Sequence, residues 1–169
     1  ALVVIFHPVT LEFENTDIYI HNLLAALSNR AEPIVFILPN ADTSGRKIIK
    51  MMRRFPNAQA HANLIPQVYY QLLRHSLAIV GNSSSALMEA PSFELPAVNI
   101  GTRQTGRTRG RNVVDVQPIV DEIESAIGKQ LKHGRYESDD LYGDGSASQR
   151  IVKIIADLSY ISVQKRITY

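Results

Sequence analysis

An anion site is predicted by the residues that follow two apolar runs in the middle of the chain. The first run ends at Val80 and is followed by a glycine, an asparagine and three serines, residues 83–85. The second run, Ala97 to Ile100, leads into a glycine-rich turn. That turn carries Arg103, Arg107, Arg109 and Arg111. Hydroxyls, guanidinium groups and the free N–H groups of a helix start all bind phosphate, so a phosphate is the expected ligand.

The serine turn has two interpretations. In the first, Ser83 and Ser84 donate hydrogen bonds to an anion at a helix start, and Glu89 accepts from ribose hydroxyls one turn further along. In the second, the serines are ordinary N-caps and Glu89 is a solvated or interhelical charge. The turn has neither the lysine of a P-loop nor the spacing of the dinucleotide-binding glycine motif. Its residues alone leave both interpretations open.

Arg103 is the strongest of the arginine candidates because it lies three residues beyond a buried strand and close to two glycines. A guanidinium held there can make two hydrogen bonds to one phosphate. The other three arginines lie further out, where solvation or pairing with Glu94 or Asp115 is expected. Aromatic residues do not alternate with the arginines and the net charge is only +2, so nucleic acid is not the expected partner.

Two more polar residues directly follow predicted strands. His7 can donate to a phosphate or act as an acid or base near neutral pH, which makes it the candidate catalytic residue. Taken alone, a histidine beside Pro8 is better explained as part of a loop. Asn40 can bind a base or close its own turn. The other four histidines lack metal-ligand spacing, so we expect no metal and no cofactor.

Composition is typical of one globular domain: the chain has 169 residues, of which 45% are hydrophobic and 20% charged. The absence of cysteine excludes disulfides and thiol catalysis and fits a reducing compartment, so we expect a cytoplasmic protein. No apolar stretch approaches the roughly 18 residues of a membrane span, and no membrane partner is expected. Because Ala1 already lies inside an apolar run, we expect the chain to be part of a longer protein.

Short apolar runs alternate with helical patterns, which predicts an α/β fold with a doubly wound parallel sheet. The predicted strands are Leu2–Phe6, Pro33–Leu38, Ala60–Leu64, Leu77–Val80, Ala97–Ile100 and Val113–Val116. The predicted helices run from Ile18 to Asn29, from N-caps among Asp42, Thr43 and Ser44 to Pro56, from Pro66 to Leu73, from Ser84 to Ala90, from Pro118 to Leu131, and over about residues 147–163. Such sheets bind ligands beyond the carboxyl ends of their strands, where the candidate residues above all fall.

Five motifs together identify a family resemblance. They are HPVT at 7–10, LPNAD at 38–42, GNSSSALMEAPSF at 81–93, PAVNIGTRQTGRTRG at 96–110 and YGDG at 142–145. Over nearly its whole length the chain resembles the C-terminal half of the hydrolysing UDP-N-acetylglucosamine 2-epimerases of sialic-acid biosynthesis. The resemblance implies a GT-B fold of two Rossmann-like halves, in which residues 1–169 form the UDP-binding half. The last helix, about 147–163, would pack on this half or cross toward the N-terminal domain.

The resemblance also implies roles for individual residues. The UDP-binding set is His7, Asn40, Ile65, Ser83, Ser84, Glu89 and Arg103. The histidine, the two serines and the arginine fall at the diphosphate, the asparagine in the nucleotide pocket, the glutamate at the ribose, and the isoleucine where uracil meets a backbone segment. The family reaction eliminates UDP in the anti sense, passes through 2-acetamidoglucal and adds water to give N-acetylmannosamine. Its sugar-side acids and bases come mostly from the N-terminal half.

The expected partners are therefore UDP or a UDP-sugar, the N-terminal domain of the same protein and, at full length, further copies in a homo-oligomer. Without the other half, we expect UDP binding but no epimerase activity. Three alternatives stay open: a non-hydrolysing epimerase, a GT-B glycosyltransferase donor domain and a regulatory nucleotide-binding module. The non-hydrolysing epimerases carry arginines where this chain has Pro8, Val9 and Thr10, and this difference favours the hydrolysing type. A UDP-diacetylbacillosamine substrate would use the same UDP pocket.

Overall fold

The computed structural model describes residues 1–40 and 44–159, and those residues form six strands. The strands are β1 (Leu2–Ile5), β2 (Ile34–Ile37), β3 (Ala58–His61), β4 (Ala78–Gly81), β5 (Ala97–Ile100) and β6 (Val113–Val116). They form one parallel sheet in the order β3-β2-β1-β4-β5-β6. Every residue of β1, β4 and β5 is buried, as expected for strands covered by helices on both faces. The predicted doubly wound α/β fold is confirmed.

Six α-helices lie in the described residues. They are α1 (Thr16–Ser28), α2 (Gly45–Arg54), α3 (Pro66–His75), α4 (Ser85–Met88), α5 (Val120–His133) and α6 (Ala147–Ala156). Two 3₁₀ helices, Thr10–Asn15 and Ala90–Phe93, adjoin α1 and α4. Pro66 occupies the first turn of α3, where its missing N–H costs nothing.

The core has two layers because side chains alternate across the sheet. Leu2 and Val4 of β1 belong to the first layer, and Val3 and Ile5 belong to the second. The helix residues packed there include Ile20, Ile48 and Ile123 on the first face and Leu73 and Leu87 on the second. Helices α1, α2 and α5 therefore cover one face of the sheet, while α3 and α4 cover the other.

The strand order reverses between β1 and β4, which are neighbours in the sheet. From β1 the chain proceeds outward to β3, and from β4 it proceeds outward in the opposite direction to β6. The connections that leave β1 and β4 thus diverge, and they open a crevice at the carboxyl ends of these strands. This crevice is where the fold places a ligand.

Three elements differ from their predicted positions. The last helix, predicted over about residues 147–163, ends at Ala156, and the described residues 157–159 are not helical. The third strand is Ala58–His61 and not residues 60–64. Its position is set by pairing with β2, and local composition does not encode this pairing. The helix after the serines is only four residues long and continues as the 3₁₀ helix Ala90–Phe93. Pro91 explains this early end, because proline lacks an N–H and its ring clashes with the carbonyl four residues earlier in an α-helix.

Residues 1–139 form one compact unit, and the described residues from Asp140 onward belong to a second. The second unit contains α6, preceded by Gly143 and Gly145 at φ 128° and 80°. These positive values agree with the turn expected for YGDG. No helix among residues 1–40 and 44–159 has the length and apolarity that a membrane span requires.

Parts of two predictions fall outside the described residues. They are the N-cap candidates Asp42 and Thr43 and the end of the last predicted helix, residues 160–163. The third N-cap candidate, Ser44, immediately precedes α2 at φ 68° and makes no side-chain capping hydrogen bond.

Candidate functional site

Two cavities lie side by side at the carboxyl edge of the sheet. The smaller, of about 490 Å³, lies between the ends of β3 and β4 and is here called the β3–β4 cavity. The larger, of about 910 Å³, lies between the ends of β1 and β5 and is called the β1–β5 cavity. His7 and Asn40 line both cavities. The two cavities are therefore adjacent, and together they are called the cleft.

Most of the predicted binding residues line this cleft. Ser83, Ser84 and Glu89 line the β3–β4 cavity, and Arg103 lines the β1–β5 cavity. These residues come from loops far apart in the sequence, and the sheet order brings them together. The exception is Ile65, whose side chain is 64% exposed and whose neighbours Leu64 and Pro66, rather than Ile65 itself, line the β3–β4 cavity.

The serine turn caps α4 through Ser83 and not through Ser84. Ser84 is the N-cap residue, yet its side chain makes no capping hydrogen bond. Ser83 Oγ accepts a hydrogen bond from the Ser85 N–H at 3.3 Å, and the Ser85 hydroxyl is hydrogen-bonded to the phenol of Tyr69. The N-cap interpretation of Ser84 is therefore not supported by its geometry. Because α4 has a single turn, its dipole contributes less to anion binding than the predicted longer helix would.

Glu89 presents an unsatisfied carboxylate oxygen. Its Oε2 atom is buried and has no hydrogen-bond partner among the described residues, and the residue lines the β3–β4 cavity. A buried acceptor without a partner is costly, so such a group is usually satisfied by water or by a ligand. The geometry thus suits a ligand with hydroxyl donors.

Tyr69 lines the same cavity, although its sequence pattern indicates only the apolar side of a helix. The pKa of Tyr69 is raised to about 12, mainly by burial; the hydrogen bond with Ser85 opposes the shift, and the negative charge of Glu89 adds to it. The phenol is therefore neutral near pH 7. Tyr70, which also lines the cavity, stacks on Phe93 with ring centroids 5.6 Å apart. No feature of the isolated sequence distinguished either tyrosine from a packing residue.

Arg103 is held at the cleft by a backbone contact. Its Nη1 donates to the carbonyl oxygen of Asn82 at 3.0 Å. Burial, together with repulsion from Arg107, lowers the pKa of Arg103. A partly desolvated cation of this kind interacts strongly with an anionic ligand.

Asn82 lies in the predicted anion-binding stretch, but the sequence assigned it no role of its own in the site. It is fully buried, and its Oδ1 accepts from the His7 N–H at 2.7 Å while its Nδ2 donates to the His7 carbonyl at 2.8 Å. Its own carbonyl accepts from Arg103 and from Gln104 Nε2, the latter at 2.8 Å. Its position directly after a buried strand was the available signal, but an asparagine there also suits an ordinary turn.

The outer arginines have structural roles. Arg109 forms an ion pair with Asp115 at 2.6 Å, as predicted, and also donates to the Gln104 carbonyl. Arg107 approaches the Met88 sulfur at 3.7 Å, and Arg111 lines a separate cavity. Within residues 1–40 and 44–159, no three histidine, aspartate or glutamate side chains form a possible metal-binding group.

Comparison with known proteins assigns the family. The family model described as UDP-N-acetylglucosamine 2-epimerase matches residues 1–156. A UDP-N,N'-diacetylbacillosamine 2-epimerase (hydrolyzing) of Legionella pneumophila is 31% identical over 154 residues, which are 89% of this chain and 41% of that protein. A UDP-N-acetylglucosamine 2-epimerase of Neisseria meningitidis is 29% identical over 168 residues, covering 95% of this chain and 45% of that protein. The chain therefore spans less than half the length of these relatives.

A solved structure shows the same fold. The UDP-GlcNAc 2-epimerase from Neisseria meningitidis bound to UDP-GlcNAc matches with a TM-score of 0.69 at 18% identity, over 93% of this chain and 44% of that one. Fold and cleft thus define a Rossmann-like α/β domain whose crevice at the switch point carries hydroxyl, imidazole, carboxylate and guanidinium groups. The chain belongs to the UDP-N-acetylglucosamine 2-epimerase family.

Proposed function

We propose that the chain is the UDP-binding, C-terminal half of a GT-B hydrolysing UDP-N-acetylglucosamine 2-epimerase. The complete enzyme converts UDP-N-acetylglucosamine and water to N-acetylmannosamine and UDP. The observation that carries the proposal is the cleft formed by the two adjacent cavities, in which hydroxyl, imidazole and guanidinium groups lie near a carboxylate with an unpartnered oxygen. Membership of the family supports the reaction class.

The two cavities divide the proposed ligand between them. Uridine occupies the β3–β4 cavity, where the ribose hydroxyls donate to Glu89 and the uracil reaches the backbone near Ile65. The diphosphate lies where the cavities meet, between the serine turn, His7 and Arg103. The sugar then extends into the β1–β5 cavity. Each group of the ligand meets a protein group of complementary hydrogen-bonding character.

The chemical role of this half is to stabilise the leaving group. A base from the other half removes the C2 proton, the C1–O bond to the diphosphate breaks, and 2-acetamidoglucal and UDP form. Water then adds across the new double bond, and its oxygen bonds to C1. A proton is delivered to C2 on the face opposite to the one from which the first proton was removed, so that the configuration at C2 is inverted. Negative charge develops on the departing diphosphate, where Arg103, His7 and the serine hydroxyls stabilise it. His7 is the proposed catalytic residue of this half because it can also donate a proton there.

The hydrolysing assignment rests on two observations. The histidine after β1 is followed by Pro8, Val9 and Thr10, as in the hydrolysing enzymes, rather than by arginines. In addition, the Legionella relative is named as a hydrolysing enzyme. The same relative favours a second candidate substrate, UDP-N,N'-diacetylbacillosamine. Assaying the full-length protein with both UDP-sugars distinguishes the two, because the preferred substrate will have the higher kcat/KM.

The remaining partners are part of the same proposal. The N-terminal domain supplies the sugar-side acids and bases, and the full-length protein forms a homo-oligomer. The 169-residue chain alone binds UDP without releasing N-acetylmannosamine. Release of that sugar by the chain at the rate of the full-length protein would refute this part of the proposal.

Titration of UDP into the chain by calorimetry tests the site. Arg103→Ala removes charged hydrogen bonds worth about 1.5–3 kcal/mol, so UDP affinity should fall about 10- to 100-fold. Ser83→Ala should lower it about fivefold, the equivalent of one neutral hydrogen bond. Arg109→Ala is the matched control, because its partner is Asp115 and its removal should change UDP affinity less than twofold, roughly the scatter expected for a residue outside the site. Equal losses in all three variants would indicate diffuse charge attraction and contradict the site.

A further inference from the structure

The strands β1 and β4 stop pairing through their backbones at the point where the cleft opens. Their parallel register ends at Ile5 opposite Gly81, and the Asn82 N–H makes the last bond, to the Ile5 carbonyl at 3.0 Å. Gly81 has φ +134°, a value at which the backbone leaves the ordinary strand conformation. Among the described residues, no peptide hydrogen bond between the two strands follows the one made by the Asn82 N–H.

The side chain of Asn82 hydrogen-bonds to the backbone that follows β1, beyond the point where the two strands pair through their own backbones. Its amide accepts from the His7 N–H and donates to the His7 carbonyl, at 2.7 and 2.8 Å, as a peptide group of a neighbouring strand would. The amide is fully buried, so both bonds are shielded from water. The backbone of His7 is therefore fixed by a side chain 75 residues away.

The backbone carbonyl of Asn82 contacts the side of the cleft formed by the turn after β5. Because the chain has turned, the Asn82 carbonyl points to the turn after β5, where it accepts from Arg103 at 3.0 Å and from the buried Gln104 at 2.8 Å. One residue thus contacts both the histidine after β1 and the arginine after β5. These are the two residues that the proposed function places on the diphosphate.

We propose that Asn82 is a positioning residue that sets the separation between His7 and Arg103 and so matches the cleft to a diphosphate. This inference rests on the proposed function, since it takes UDP as the ligand. It predicts that removing the Asn82 amide weakens binding of the diphosphate and leaves binding of the nucleoside nearly unchanged. A merely structural role would weaken both alike.

The first experiment compares UDP with uridine as ligands of Asn82→Ala. We expect UDP affinity to fall at least about tenfold, the equivalent of one to two lost hydrogen bonds, and uridine affinity to change less than about twofold. Asn112→Ala is the matched control. Asn112 is also buried and donates to the Leu95 carbonyl at 2.9 Å, but it precedes β6, at the opposite edge of the sheet. That variant should leave the ratio of the two affinities unchanged.

The second experiment uses Asn82→Asp, which keeps the size of the side chain and so decides the question if the alanine variant does not fold. An ionised aspartate accepts from the His7 N–H, but its second oxygen faces the His7 carbonyl oxygen. These two acceptors cannot form a hydrogen bond. A protonated aspartate has one donor and one acceptor and restores both bonds. The UDP affinity of this variant, divided by that of the native chain at each pH, should therefore recover between about pH 8 and about pH 5. Division by the native affinity corrects for the pH dependence that both chains share; His7 and Arg103 are the titratable and charged groups that face position 82.

The outcomes separate this inference from the proposed function. If the native chain binds UDP but Asn82→Ala weakens UDP and uridine equally, or Asn82→Asp shows no recovery at low pH, the positioning role is refuted. If the native chain does not bind UDP, the proposed function fails instead. The pairing of the Asn82 amide with His7 is then tested by hydrogen exchange at the His7 amide, which should be protected in the native chain and exchange at least about tenfold faster in Asn82→Ala. Equal exchange in both would refute this pairing.

Discussion

Replacement of Gly81 by alanine should be among the most damaging single changes at the cleft. A Cβ added at this position would lie 2.0 Å from the Ile5 carbonyl oxygen, well inside the 3.0 Å that real Cβ contacts respect. Relief of the clash requires β1 and β4 to separate by about 1 Å. Three hydrogen bonds connect the two chain segments here. The Asn82 N–H donates to the Ile5 carbonyl at 3.0 Å, and the Asn82 side-chain amide accepts from the His7 N–H at 2.7 Å and donates to the His7 carbonyl at 2.8 Å. All three would lengthen beyond a useful distance.

The size of the effect follows from these contacts. Three lost hydrogen bonds at about 1 kcal/mol each, and about 1–3 kcal/mol of backbone strain for alanine at φ +134°, amount to about 4–6 kcal/mol. This is a large part of the stability of an ordinary domain, which is about 5–15 kcal/mol. Gly81→Ala should therefore leave the chain marginally folded or unfolded at 25 °C.

Urea denaturation followed by circular dichroism measures the change, with Gly128→Ala as the matched control. Gly128 lies within α5, and its Cβ would meet no atom within 4 Å. Because alanine is the better helix former, Gly128→Ala should stabilise the protein by about 0.5–1 kcal/mol. A loss below about 1 kcal/mol for Gly81→Ala, or the same sign of change in both variants, would refute the close approach of the two strands.

Two further predictions concern the β3–β4 cavity. Glu89→Gln should lower UDP affinity about tenfold because a ribose hydroxyl would lose a charged acceptor, and the variant should no longer prefer UDP to 2'-deoxy-UDP in competition binding. A preference as strong as that of the native chain would place the ribose elsewhere. The raised pKa of Tyr69, about 12 against an ordinary 10.0, means that its stabilising contribution is complete below pH 10 and is lost as the pH rises through about 12. The free energy of unfolding from urea titrations should fall more steeply between these pH values in the native chain than in Tyr69→Phe, and parallel curves would show that the phenol is not buried when folded.

The fold was predictable because its signals are local. Continuous apolar runs such as Leu2–Ile5 indicate strands buried on both faces, and a period of about 3.6 residues indicates the helices between them. The third strand was misplaced because its sequence, Ala58–His61, has no apolar pattern of its own and depends on pairing with β2. The helix after the serine turn is shorter than predicted because Pro91 disrupts the last turn of the predicted helix.

The candidate site was predictable to the extent that its residues directly follow strands. His7, Asn40, Ser83 and Ser84 were found in this way, and the cleft brings them together. Asn82 was given no specific role and Tyr69 was not predicted at the site, because an asparagine in a turn and a tyrosine on a helix are ordinary residues when considered alone. Their importance comes from partners that are distant in sequence.

The chain alone indicates the strands that have apolar runs, the polar residues that follow them and the family motifs. The pairing of the Asn82 amide with His7 and the bond from Arg103 to the Asn82 carbonyl appear only in the folded domain. This is because sheet order and the turn at Gly81 set these contacts, and the periodicity of a short segment encodes neither. The predicted row of polar residues after strands therefore lines one cleft, in which a buried asparagine contacts both His7 and Arg103.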